Sequence, residues 1–258
     1  MDSDHSSVAF ARAVGDGWAR LVRGAAHGEV LLLPGGSLGI GGEAFGEMNW
    51  ADIVGPDGGD EAMRAFVRRL RERGLPGTIT ALPELAAELA PVATELGLAA
   101  DPEPMPLMRC RAEDAPVARP PAPGVEVRRV TGRDETPGVA LVLAEAFECP
   151  LPLCEAMLGP DLPAVHDVAF FAATVDGEPA GSVGTARVGD CVGIYAVGTR
   201  PALRRRGVAA TTLVTAMSWY VPRGVRTFGL HASAAGAPVY SGLGFELVAE
   251  VASWLVPT

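Results

Sequence analysis

One stretch of the sequence concentrates residues able to hold an anion. An apolar run ends at Val197, and after a short loop come Arg204, Arg205, Arg206 and Gly207, followed by the small residues Val208, Ala209, Ala210 and Thr211. These small residues open a helix. The first amides of a helix have no partner inside it, its dipole favours negative charge there, and small side chains let a phosphate approach the backbone. Gly207 brings permissive dihedrals and no side chain, while the arginines surround the spot with fixed positive charge. The chemistry is that of a pyrophosphate cradle.

A second constellation follows downstream, where Leu230-His231-Ala232-Ser233 leads through Gly236 to Tyr240, Gly244 and Phe245. Arg204-x-x-Gly207-x-Ala209 after a strand is similar to the (Gln/Arg)-x-x-Gly-x-(Gly/Ala) signature of the GNAT acyltransferase superfamily. The Tyr240-x-x-x-Gly244-Phe245 ending resembles the close of the strand and short helix that come next in that superfamily, and the resemblance covers about residues 125–258. It implies transfer of an acyl group, usually acetyl, from its coenzyme A thioester (acetyl-CoA) to an amine, without a metal. Under this resemblance the backbone of Ala196 and Val197 lies along the pantetheine, and the Val197 amide faces the oxygen of the tetrahedral intermediate. The amides from Arg205 to Ala210 hold the pyrophosphate, with Arg204 and Thr211 in signature positions. Tyr240 is similar to the residue that protonates the departing thiolate, a reasonable pairing because a tyrosine titrates near ~10 and a thiol near ~8.5. Ser233 stands where many relatives carry an asparagine bonded to the cofactor.

An alkyl amine is mostly protonated at neutral pH, so some group must take its proton before attack. Glu148, Glu155, Asp190, His166 and His231 are candidates by position, and none is privileged. The run from Cys191 to Val197 lacks the glutamate that some relatives use, which favours a helix carboxylate or a chain of waters. His231, inside a strand, reads as a satisfied core or cleft residue. His5 and His27 carry no motif.

Two patterns near the start are set aside. Gly35-x-Ser37-x-Gly39 spells the nucleophile elbow of a hydrolase and Gly39-x-Gly41-x-x-Ala44 a dinucleotide fingerprint. The elbow needs several strands before it and no Pro34, and the fingerprint needs a helix after it. Both read as a glycine-rich hairpin or loop. A serine hydrolase using Ser37 and a non-catalytic acyl-coenzyme A binding regulator are the rival functions.

The elements that must position these residues alternate along the chain. The second half reads as a strand over Val125–Val130, helices over Val139–Phe147 and Leu151–Leu158, and strands over Val168–Val175, Gly181–Val188 and Cys191–Val197. A helix over Gly207–Tyr220, a strand over Thr227–Ala232, a short helix over Ala237–Leu243 and a strand over Glu246–Val256 follow. Before position 111 the end of this order recurs: helix Asp60–Arg73, strand Gly77–Ala81, helix Pro83–Leu96, strand Met105–Cys110. Leu96-Gly97-Leu98 sits as Leu243-Gly244-Phe245 does, which suggests an internal duplication. The first copy is degenerate, with Asp57, Asp60 and Glu61 where a phosphate would bind and Ala93 in the place of Tyr240. Seven prolines between Asp101 and Gly124 mark a linker over 112–124, expected to be extended. The expected organisation is a degenerate GNAT-like domain over 1–111, the linker, and a catalytic domain over 125–258. The fold class is α/β (α+β): a GNAT-type mixed, largely antiparallel sheet flanked by helices, in tandem with the truncated first domain.

Composition narrows the partners. The chain has 258 residues, 48% hydrophobic and 20% charged, enough for a large core. All 21 basic residues are arginine, so no lysine serves as a Schiff base, nucleophile or P-loop residue. The net charge of −10 disfavours nucleic acid and suits a small cationic amine. No apolar run approaches the roughly 20 residues of a membrane span. The first five residues, Met1 to His5, carry acids where a signal peptide carries bases, so a cytoplasmic location is expected. Cys110, Cys149, Cys154 and Cys191 show no CxxC spacing and read as reduced, partly buried thiols. Oligomeric state leaves no trace in the sequence.

Overall fold

A computed structural model describes residues 2–159 and 165–258, with side chains from Ser7 onward; the His5 side chain lies outside this range. Helix α1 spans Asp2–Val22, then strands β1 (Glu29–Leu33), β2 (Gly36–Ile40) and β3 (Asn49–Ile53) lead to α2 (Gly59–Arg73), β4 (Gly77–Ala81), α3 (Pro83–Glu95), β5 (Ala99–Ala100) and β6 (Met105–Arg111). The second half runs β7 (Val125–Arg129), α4 (Thr136–Phe147), α5 (Leu151–Met157), β8 (Val168–Val175), β9 (Glu178–Val188), β10 (Cys191–Thr199), α6 (Val208–Tyr220), β11 (Thr227–His231), α7 (Ala237–Ser241) and β12 (Glu246–Val256). All strands join one mixed sheet in the order β1-β2-β3-β4-β12-β6-β11-β10-β9-β8-β7, with β5 on β12.

Pairing repeats between the halves. In each, two antiparallel contacts lead to a parallel one: β1/β2, β2/β3 and β3/β4 in the first, β8/β9, β9/β10 and β10/β11 in the second. Each half then receives the last strand of the other. β6 lies antiparallel against β11, and β12 lies antiparallel against β4, while β6 and β12 also pair together. The alternation of helix and strand read from the sequence is therefore present twice. What the sequence did not reveal is that the closing strands are exchanged.

The first copy differs where a cofactor would enter. The β3/β4 ladder runs from Trp50↔Thr78 to Ile53↔Ala81, the ends of both strands, so it leaves no gap. Asp60 and Glu61 sit in the first turn of α2, Ala93 is buried in α3, and Gly35 joins β1 to β2 in a hairpin that places Ser37 mid-strand. Neither a hydrolase elbow nor a dinucleotide turn forms there.

Helix α1, which sequence periodicity did not reveal, touches β1, β2 and β3 of the first half and β9, β10 and β11 of the second. One helix can meet six strands only if the sheet curves round it. Gly15 and Gly17, poor residues for a helix interior, allow that approach: a Cβ on Gly15 would stand 2.8 Å from Asp52 Cβ, and one on Gly17 would strike the Tyr195 hydroxyl. In an exposed helix Gly→Ala stabilises by about 1 kcal/mol. Gly17→Ala is expected to do the reverse here and lower the melting temperature by several degrees, as read by thermal denaturation. A rise would show that α1 does not pack this closely.

The proline-rich linker is not simply extended. It makes turns at 112–114 and 117–118 and then lies along α6, where the Ala122 N–H donates to Thr211 Oγ1 at 3.0 Å. The four cysteines are free and buried. Cys149 and Cys154 nevertheless approach to 2.9 Å between sulfurs, a proximity that their spacing did not signal.

Candidate active site

The strands β10 and β11 are hydrogen-bonded at only three register positions, Cys191↔Thr227, Val192↔Phe228 and Gly193↔Gly229, although β10 continues to Thr199. Beyond Gly193 the two arms diverge, and the β11-facing edge of β10 has no strand partner. On the other edge β10 bulges: the β9 register slips between Tyr195 and Gly198, with Ala196 at φ 50°. The Ser182 hydroxyl donates to the Ala196 carbonyl at 3.0 Å and pins the bulge. Ala196 and Val197 thus stand on the open arm of the splay.

The loop after β10 ends in a nest. Arg205 has φ 65° and Gly207 φ 77°, both left-handed, and Gly207 caps α6 without any side-chain hydrogen bond. The first backbone bond of the helix is Thr211 N–H to Gly207 O, so the amides from Arg205 to Ala210 donate to no protein acceptor among the described residues. No acidic residue lies in the first turn of α6, in contrast to α2. Unpaired amides, two left-handed residues and a helix terminus together make an arrangement able to receive an anion. Arg205, Arg206 and Gly207 are exposed, and Val208 is buried as the anchor of the helix.

Three expected side chains are engaged elsewhere. Arg204 turns back, donating from Nη2 to the Ala146 carbonyl at 3.3 Å and from Nε to the Thr199 carbonyl at 3.4 Å. The Thr211 hydroxyl is on the linker. Ser233 Oγ accepts the Gly236 N–H at 3.1 Å and so shapes the turn into α7 rather than pointing away from it. Thr199 Oγ1, at the end of β10, is buried with no hydrogen-bond partner in the described structure. Sequence reading had not singled it out.

Tyr240 sits on the short helix α7, buried at 8% exposure against Phe245, ring centroids 5.8 Å apart. Burial pushes its phenol up to about 12, so it keeps its proton throughout the neutral range. The base candidates separate. Glu148, Glu155, Asp190 and His166 are not brought to the splay by any recorded contact, and His166 instead pairs with Asp167 at 2.8 Å. His231 ends β11, on one arm of the splay. Among the described residues no three His, Cys, Asp or Glu side chains gather as a metal-ligand set, and no helix is long and apolar enough to cross a membrane.

The GNAT acetyltransferase domain family matches residues 153–237, from α5 through the splay, the nest and the start of α7. That third of the chain is similar to a GNAT domain. Tyr240 lies just past the matched segment. Solved structures share the fold over most of the chain. A GCN5-related N-acetyltransferase from Kribbella flavida has a TM-score of 0.66 at 19% identity, over 96% of this chain and 94% of that chain. A GCN5-related N-acetyltransferase from Sphaerobacter thermophilus scores 0.62 at 16% identity, over 86% and 76%. A tandem GNAT protein from the clavulanic acid biosynthesis pathway scores 0.58 at 14% identity, over 85% and 78%. Among curated proteins none matches the chain in sequence. The likeness to a tandem GNAT protein accords with the repeated strand pairing.

Proposed function

We propose that the chain is an N-acetyltransferase that moves an acetyl group from acetyl-CoA to the primary amine of a small molecule by direct attack. The observation that carries this reading is the run of unpaired amides from Arg205 to Ala210 at the mouth of the β10/β11 splay. A diphosphate fits that seat, and the pantetheine then follows the open edge of β10 past Ala196 and Val197. The thioester supplies an activated acyl group. The Val197 amide is suited to the developing oxyanion. Tyr240, protonated throughout the neutral range, serves as donor to the leaving sulfur. The division into a first unit over 1–111, a linker over 112–124 and a catalytic unit over 125–258 belongs to this reading. The acidic composition favours a cationic acceptor.

Acetyl-CoA is expected to protect the fold against heat, by about 2.7 kcal/mol at a hundredfold excess over its dissociation constant. Differential scanning calorimetry reads this, and no shift at millimolar ligand counts against the seat. Release of free coenzyme A with spermidine, an aminoglycoside or leucinamide as acceptor then separates an enzyme from a protein that only binds the thioester.

A further inference from the structure

On the face of the sheet turned toward α1 lies a polar row, of which sequence reading had singled out only Ser37. Ser37, Asp52, Thr80 and Ser253 stand opposite one another on β2, β3, β4 and β12 (Ser37↔Asp52, Asp52↔Thr80, Thr80↔Ser253) and so share one face. All four are buried. Such positions ordinarily hold valine or isoleucine, because a buried polar group without a partner costs roughly 1–3 kcal/mol. Thr80 Oγ1 donates to Asp52 Oδ1 at 2.6 Å, and Trp50 Nε1 lies 3.4 Å from the same oxygen. Ser253 Oγ is buried with no hydrogen-bond partner in the described structure.

His231 joins this row from the other half. Its Nε2 lies 3.5 Å from Asp52 Oδ1, and its ring stacks on Trp50 with centroids 5.7 Å apart and planes 24° apart. The Asp52 side chain is 5% exposed and the His231 side chain 13%. Beyond the last paired position, Gly193↔Gly229, the next residues on the same face are Tyr195 on one arm of the splay and His231 on the other. His231 Nδ1 has no recorded protein partner among the described residues. An imidazole at the mouth of the splay, with one nitrogen facing a buried carboxylate at 3.5 Å and the other without a protein partner among the described residues, has the layout of an oriented base.

We propose that His231, oriented by Asp52 across the junction of the two halves, takes the proton from the acceptor's ammonium group. The inference rests on the acyltransferase reading above. Neutral His231 accepts a proton at Nδ1 from the alkylammonium. The freed lone pair forms the C–N bond at the thioester carbonyl, and collapse of the tetrahedral intermediate breaks the C–S bond. The second amine proton goes to Tyr240 as Tyr240 gives its own to the thiolate, and His231 returns the first to solvent. Asp52 is a positioning residue, its oxygen already occupied by Thr80 and Trp50. The first half, without a seat of its own, thereby contributes to the chemistry of the second.

The test compares two nucleophiles in the intact protein: the best amine of the panel above, protonated at neutral pH, and hydroxylamine, which is already neutral there. In His231→Gln the ratio of kcat with the amine to kcat with hydroxylamine is expected to fall about 100-fold, with the KM for acetyl-CoA held. Asp52→Asn is expected to shift the ratio in the same direction by a smaller factor. An unchanged ratio, or equal losses with both nucleophiles, overturns the proposal in favour of a packing role. Long-range nitrogen-15 NMR of the wild-type imidazoles gives a readout without turnover: His231 should carry its proton on Nε2, facing Asp52, and a proton fixed on Nδ1 overturns the proposal. A wild-type protein that transfers to no amine overturns the acyltransferase reading and this inference with it, whereas a normal enzyme with an unchanged ratio overturns this inference alone.

Discussion

Gly207→Glu is expected to raise the dissociation constant for coenzyme A by at least about 100-fold in isothermal titration calorimetry, since each charge-assisted hydrogen bond lost at a phosphate is worth roughly 1.5–3 kcal/mol. Two separate effects converge at this position. The backbone has φ 77°, which costs a side-chain-bearing residue roughly 1–2 kcal/mol, and a Cβ there would stand 2.8 Å from Ala122 Cβ. The new carboxylate would also sit beside the amides from Arg205 to Ala210, competing with the diphosphate for the same donors. Gly207→Ala separates the two. It carries the strain and the contact with Ala122 without the charge, so it should lose a few degrees of melting temperature and keep most of its affinity. Gly207→Glu binding coenzyme A as the wild type does would falsify the assignment of the seat.

Tyr240→Phe is expected to lower kcat by about 10³-fold with little change in the KM for acetyl-CoA, because only the donor to the leaving sulfur is removed. The ring still packs on Phe245, so the fold should hold. A loss expressed in KM instead would make Tyr240 a binding residue. The pH dependence follows from its burial. A phenol pushed up to about 12 stays protonated in the folded protein through the range where an unfolded tyrosine, near ~10, ionises. Its ionisation therefore gives the wild-type rate no falling limb through pH 10. The same difference in proton binding leaves stability untouched below the unfolded value and erodes it as pH rises above that value toward 12. A rate limb near pH 10 that disappears in Tyr240→Phe would contradict the buried setting of the phenol.

The strong local signals were legible in the sequence. The helix from Val208 to Tyr220, its glycine entrance, the strands on either side and the hairpin turns each follow from patterns a few residues long, and the structure places them within a residue or two. Less local features were hidden. Helix α1 escaped because Gly15-Asp16-Gly17 reads as a breaker, and its glycines make sense only once Asp52 and Tyr195 are seen to press against them. The exchange of β6 and β12 escaped because register between segments more than a hundred residues apart has no local signature. Asp52 is instructive in another way. It sits in Trp50-Ala51-Asp52-Ile53, an alternation of large polar and apolar residues in a short strand, which could have marked a polar face inside the core. Its meaning depended on His231, almost two hundred positions away. The arginines show the converse: three in a row looked like one electropositive unit, yet Arg204 turns to the carbonyls of Thr199 and Ala146, and the unpaired donors at the start of α6 are backbone amides.

The reciprocal strand exchange has a consequence for how the protein is made. Strand β4 pairs with β12, Ala252↔Ala81 through Val256↔Gly77, so the first half cannot close its sheet until a segment some 170 positions later has been translated. During all that time one flank of β4 remains an open template of unpaired amides and carbonyls, the kind of surface that recruits stray strands and seeds aggregates. Loss of β12 alone would leave β4 in the first half and β6 beside the second each short of a partner.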